Sequence, residues 1–162
     1  MKQRVPTIFL KTVIFFIGIA TLAFCVFLLP EFANEMAVLA PETAFLKYPF
    51  LICMYATMII FFFALYQAIR LLGYIDKKEV FSELSVQTLR NMKISGIIMT
   101  GILYLSGMPA AYLVAELEDA PGLIIMGFAV ASMPFVVATF VAVLQRLLQE
   151  AIEIKSENDF TV

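Results

Sequence analysis

The hydroxyls of Thr57, Ser95, Thr100, Ser106, Ser132 and Thr139 and the thiols of Cys25 and Cys53 all lie within long apolar runs of this sequence. A hydroxyl or thiol becomes a nucleophile when a neighbouring base takes its proton, and the chain has no histidine to serve as one. No pair of carboxylates shares an apolar run, so general acid–base chemistry has no donor and acceptor there. The single charge inside these runs is Lys11, at the edge of the first. An ion- or proton-coupled carrier keeps a charge deeper than that, because the translocated charge needs a partner within the bilayer. Isolated hydroxyls in helices satisfy themselves on their own backbone carbonyls, and small buried residues are the ordinary role of lone cysteines. The expectation is a protein that is not an enzyme and holds no metal or cofactor, since zinc and haem sites draw on histidine or clustered cysteine.

The elements that carry these residues are membrane helices. Hydrophobic residues make up 62% of the 162 and charged residues 15%, and the mean hydropathy is +0.95, outside the range of soluble domains. Four runs, residues 8–29, 48–69, 94–115 and 121–144, each hold about 22 residues, enough at ~1.5 Å per residue to cross a hydrocarbon core of ~30 Å with some tilt. The first follows basic residues, as a signal peptide would, but it is long, lacks a small-x-small cleavage site and is followed by three further runs. The fold class is therefore all-α, an integral membrane four-helix bundle, with residues 1–162 forming one transmembrane domain. Pro30 is expected to end the first helix, and Pro30 to Pro41 to form a short helix lying on the surface. The aromatics of the second run, Phe50, Tyr55, Phe61, Phe62, Phe63 and Tyr66, suit packing or lipid contact, and Gln67 is expected to meet headgroup water.

Small residues mark where helices approach closely. Gly96 with Thr100 and Gly107 with Ala111 are pairs four apart in the third run, and Gly127, Ala131, Pro134, Ala138 and Ala142 form a small face on the fourth. Such faces pack tightly on neighbouring membrane helices. Pro109 is expected to kink the third helix.

The polar segments set the orientation. Lys2, Arg4, Lys11, Arg70, Lys77, Lys78, Arg90, Lys93, Arg146 and Lys155 fall on one side of this threading and Lys47 alone on the other. By the positive-inside rule both termini and the connector 73–93 are cytoplasmic, in a bacterial plasma membrane, and the two acidic connectors face outward. In the connector, Ser82 or Ser85 is a candidate N-cap for an amphipathic helix running into the third span. The tail 145–162 continues the fourth helix, with Leu147, Leu148, Ala151 and Ile152 as a stripe expected to rest against Leu84 and Leu89. Beyond it, Phe160 and Val162 alternate with polar residues as a segment that a partner takes up as a strand or in a groove does.

Two phrases carry a family resemblance. Phe81-Ser82 followed by Val86 and Leu89-Arg90 has the form F-S-x-x-x-V-x-x-L-R, and the chain ends in Glu157-Asn158-Asp159-Phe160-Thr161-Val162. Both are similar to motifs of the DUF2975 family of small bacterial four-span membrane proteins, whose chains end in E-N-D-L-T-I or a near variant. Phe160 and Val162 depart from that ending conservatively. The resemblance implies a protein without assigned activity, encoded beside a small helix-turn-helix regulator of the Cro/CI kind, and hence a membrane protein that holds a transcription factor. The residues expected to dock it are Phe81, Ser82, Val86, Leu89, Arg90 and Glu157 to Val162. Expected partners are the lipid bilayer, that cytoplasmic regulator and, as one option, further copies of the chain; direct nucleic-acid binding is not expected. The alternatives are a transporter or channel subunit for an apolar or cationic small molecule, and an immunity-type membrane bundle.

Overall fold

Pro30 does not end the first helix. The computed structural model describes residues 4–160, and in it the first apolar run belongs to a continuous helix, α1, Val5–Leu39. The chain accommodates Pro30 by a π-turn, Phe24–Leu28, in which the N–H of Leu29 reaches back five residues to the carbonyl of Phe24. Widening the turn by one residue moves the carbonyl that the pyrrolidine ring would strike. The segment expected to lie on the surface is thus the last part of α1. The helix breaks instead at Ala40, where φ −129° and ψ 77° are imposed by the following Pro41.

Three more helices follow. α2, Pro41–Asp76, opens with a 3₁₀ stretch, Pro41–Leu46; α3 is Glu83–Leu117 and α4 is Gly122–Phe160. The same proline device recurs in α3, where the π-turn Leu103–Gly107 precedes Pro109 and Met108 N–H bonds to the carbonyl of Leu103. All four helices are long and apolar enough to cross a membrane. At ~1.5 Å per residue they measure more than ~50 Å, so each outruns a ~30 Å core. The surplus of α4 is the largest, because it runs unbroken to Phe160.

The helices pack in chain order, α1 on α2, α2 on α3 and α3 on α4, with no comparable seam between α1 and α4 among the described residues. The closest approach is between α3 and α4. A Cβ on Gly96 would stand 2.8 Å from the carbonyl oxygen of Pro134 and 2.9 Å from Cβ of Ala138, and one on Gly127 would stand 2.8 Å from Cβ of Ala111. Ala131 and Ala138 are buried. The buried line of α4 passes through Ala131, Ala138, Val141 and Gln145, so its register after Ala138 runs through Val141 and not Ala142, which is half-buried beside it. Gly107 sits against the Met54 methyl, 3.7 Å from a built Cβ, and so faces α2. Thr100 gives its hydroxyl to the carbonyl of Gly96 at 2.9 Å.

The other hydroxyls in the spans behave alike. Thr57, Ser95, Ser106, Ser132 and Thr139 each donate to the carbonyl four residues earlier. Since the Ser132 proton goes to Phe128, the 2.6 Å contact between Tyr104 Oη and Ser132 Oγ has the tyrosine as donor, tying α3 to α4.

Candidate functional site

The end of the bundle where α1 begins, α4 ends and the connector lies is where polar side chains converge. The connector begins with a Schellman closure of α2. Lys78 N–H bonds to the carbonyl of Ile75 and Glu79 N–H to that of Tyr74, with Lys78 in the left-handed region at φ 60°. The chain then turns into α3 through Ser82, the N-cap, at φ −137° and ψ 155°. Its Oγ accepts from the Ser85 N–H at 3.4 Å and donates to the carbonyl of Glu79 at 2.7 Å. Ser85 is wholly buried and donates to the same Glu79 carbonyl at 3.3 Å. Two serines therefore staple the loop to the helix start, which fixes the position of Phe81 between them and Glu79.

The family phrase divides along this geometry. Ser82 is the cap, and Val86 and Leu89 are buried in the helix packing, so these three shape the connector and do not themselves present a docking surface. Phe81 and Arg90 are exposed. On α3 the 3.6-residue period puts Val86 and Leu89 on the inward face and Arg90 off it, while Phe81 precedes the N-cap and stands outside the helix.

The tail meets this connector. Lys155 on α4 places its ammonium 5.8 Å from the centroid of the Phe81 ring, a cation–π contact. Leu148, Ala151 and Ile152 are half-buried on the same side of α4, but Leu147 and Leu84, expected to share the seam, are both exposed. Leu147 is one position, about 100°, off the line that continues Val141, Gln145 and Leu148. Glu157, Asn158, Asp159 and Phe160 prolong the helix, and Phe160 is 89% exposed. Phe160 thus lies at the end of a helix and not in an extended segment. Thr161 and Val162 lie outside the described residues.

Other features of this end carry no clear sequence signal. Lys11 Nζ pairs with Asp76 Oδ2 at 2.8 Å, joining α1 to the end of α2 across 65 residues of chain. Arg70 lies over the rings of Tyr66 and Tyr74 and donates to Tyr74 Oη at 2.8 Å. Gln67 does not reach headgroup water: it is 3% exposed, and its Oε1, like that of Gln145, is buried without a hydrogen-bond partner.

Two apolar grooves lie between the helices. One of about 660 Å³ lies toward the acidic loops, between Met36, Phe50, Tyr104 and Leu113, with Lys47 and Glu116 among its lining residues. The second, about 630 Å³, is walled by Thr21 and Phe24 of α1 and by Met133 and Val137 of α4 and floored by α2 and α3. It follows from the missing α1–α4 seam.

Comparison with known proteins agrees with this architecture. The chain is 52% identical over 160 residues to the uncharacterized membrane protein YoaS of Bacillus subtilis (strain 168), covering 99% of each. No solved structure matches. The model of a family described as a protein of unknown function, DUF2975, matches residues 31–162, and with a relative this similar over its whole length the chain belongs to the DUF2975 family.

Proposed function

We propose that this protein is a non-enzymatic docking protein of the bacterial cytoplasmic membrane, with both termini inside, that holds a small helix-turn-helix transcription regulator on the platform made by its connector and the overhang of α4. The observation that carries the reading is the contact of Lys155 with Phe81. It brings the helix that carries the second family-like phrase against the first, two residues before that phrase begins, and Phe160 projects almost fully exposed at the end of the same continuous helix. An aromatic side chain held out in this way is the kind of residue that anchors interfaces.

Charge supports the choice of partner. From Glu150 onward the overhang carries Glu150, Glu153, Glu157 and Asp159 against Lys155. A DNA-binding protein presents a basic face, and complementary potentials steer such an encounter and reject other partners. A regulator held by its basic face is withheld from DNA.

The test is purification of the intact protein from its native membrane beside a chain lacking residues 157–162. The full chain is expected to bring down a small helix-turn-helix protein and the truncated chain, inserted at the same level, to lose it. Recovery of the same partners with both chains, or of no such protein with either, refutes the reading.

A further inference from the structure

We infer that α4 is the self-association helix of this protein, pairing with α4 of a second copy as a parallel two-stranded coiled coil that begins in the membrane and runs out along the overhang. The inference goes beyond the docking reading and does not depend on it. It starts from a second apolar line on α4, one position off the line packed against α3. Phe140, Leu144, Leu147, Ala151 and Ile154 follow one another at spacings of four, three, four and three, the a/d repeat of a left-handed coiled coil. In the packing of one chain the large residues of this line are left uncovered, Phe140 68%, Leu144 53%, Leu147 56% and Ile154 60% exposed, with Ala151 half-buried at its edge.

Exposure within the bilayer is ordinary, but Leu147 and Ile154 lie past Arg146, where the helix has left the apolar run. Leucine and isoleucine one heptad apart on a helix in water stabilise a pairing that covers them. Charge specifies what covers them. With Phe140, Leu147 and Ile154 at d, Glu150 falls at g and Lys155 at e, the positions that face each other across a parallel pair, an acid of one helix against a base of the other. Antiparallel pairing is not available to two copies threaded the same way through one membrane, so topology supplies the orientation that this charge pattern requires. The contact is isologous, Glu150 of each copy meeting Lys155 of the other. The line used is distinct from the Val141, Gln145 and Leu148 side held against α3, so dimerisation leaves that seam as it is. Glu150 and Lys155 turn to the second copy from the exposed contacts they make in one chain, Glu150 with Arg146 at 3.4 Å and Lys155 over the Phe81 ring.

The test is oxidative crosslinking in native membranes of the full chain carrying Leu147→Cys, Ile154→Cys or, on another face of the same helix, Gln149→Cys, with the unsubstituted chain measuring the background from Cys25 and Cys53. All three sites are exposed, so none of these changes disturbs the fold. The expected result is conversion of the Leu147→Cys and Ile154→Cys chains to a covalent dimer while the Gln149→Cys chain stays at background. Glu150→Lys is expected to lower the Ile154→Cys yield, and Lys155→Glu added to it to restore that yield. Equal crosslinking at all three positions, crosslinking to another protein in place of a second copy, or none above background overturns the inference.

Discussion

The phenol oxygen of Tyr55 on α2 donates to the backbone carbonyl of Cys25 on α1 at 3.3 Å, and that carbonyl has lost both of its helical donors. Leu29 N–H has gone to Phe24 in the π-turn, and Pro30, next in line, has no N–H. An unpaired carbonyl within a membrane is costly, so the tyrosine is what allows α1 to pass its proline without breaking. Tyr55→Phe is expected to destabilise the protein by about 1 kcal/mol, the net worth of one such bond. Unfolding in detergent, followed by circular dichroism, measures it; an unchanged midpoint removes Tyr55 from this role.

Close approach of α3 and α4 makes a contrast between two glycines of the same helix. Gly96→Ala sets a methyl 2.8 Å from a backbone oxygen that cannot swing away, whereas nothing lies within 4 Å of a Cβ on Gly101. The first change is expected to cost about 1–3 kcal/mol by overpacking, and Gly101→Ala to be neutral or to stabilise by up to about 1 kcal/mol through helix propensity. Equal effects in the same unfolding assay contradict the packing described.

Lys78 holds φ 60° at the Schellman position after α2, a conformation that costs an L-residue roughly 1–2 kcal/mol and glycine nothing. Lys78→Gly is therefore expected to raise the unfolding midpoint, by somewhat less than that figure because glycine also loosens the unfolded chain. Lys78→Val is expected to lower it. If valine is tolerated as well as glycine, the backbone there is not left-handed.

Much of the fold was legible because apolar runs of this length have one physical solution, the helix that satisfies its own backbone. A serine cap before this helical stripe was equally open to reading, though the choice of Ser82 over Ser85 was not. The course of α1 was not. Proline ordinarily stops a helix, and nothing in the residues around Phe24–Leu28 announces a π-turn. The small face on α4 was readable up to Ala138, where the choice between Val141 and Ala142 depends on whether the repeat follows 3.5 or 4 residues, and only the neighbouring helix decides. Contacts such as Lys11 with Asp76 and Lys155 with Phe81 join positions far apart in the chain, so no local pattern marks them. Within the candidate site, the sequence pattern marked the connector and the tail but not the division between buried Val86 and Leu89 and exposed Phe81 and Arg90.

Orientation rests on the sequence, in which ten of the eleven basic residues fall on one side of the four-span threading. Reporters fused after Lys78 and after Val162 are expected to read as cytoplasmic, and reporters placed at Glu42 or Glu118 as external. An external C-terminus inverts the threading and moves the platform away from any transcription regulator.

The central claim is that the joined connector and overhang receive such a regulator, and photo-crosslinking in living cells tests it most directly. A photoreactive residue at position 160, and separately at position 81, samples the platform, while one at the exposed Tyr48 samples the opposite end of the bundle. The expected result is a covalent product with a small helix-turn-helix protein from positions 160 and 81 and none from position 48. A chain that yields no such product from the platform, or yields it equally from position 48, contradicts the account.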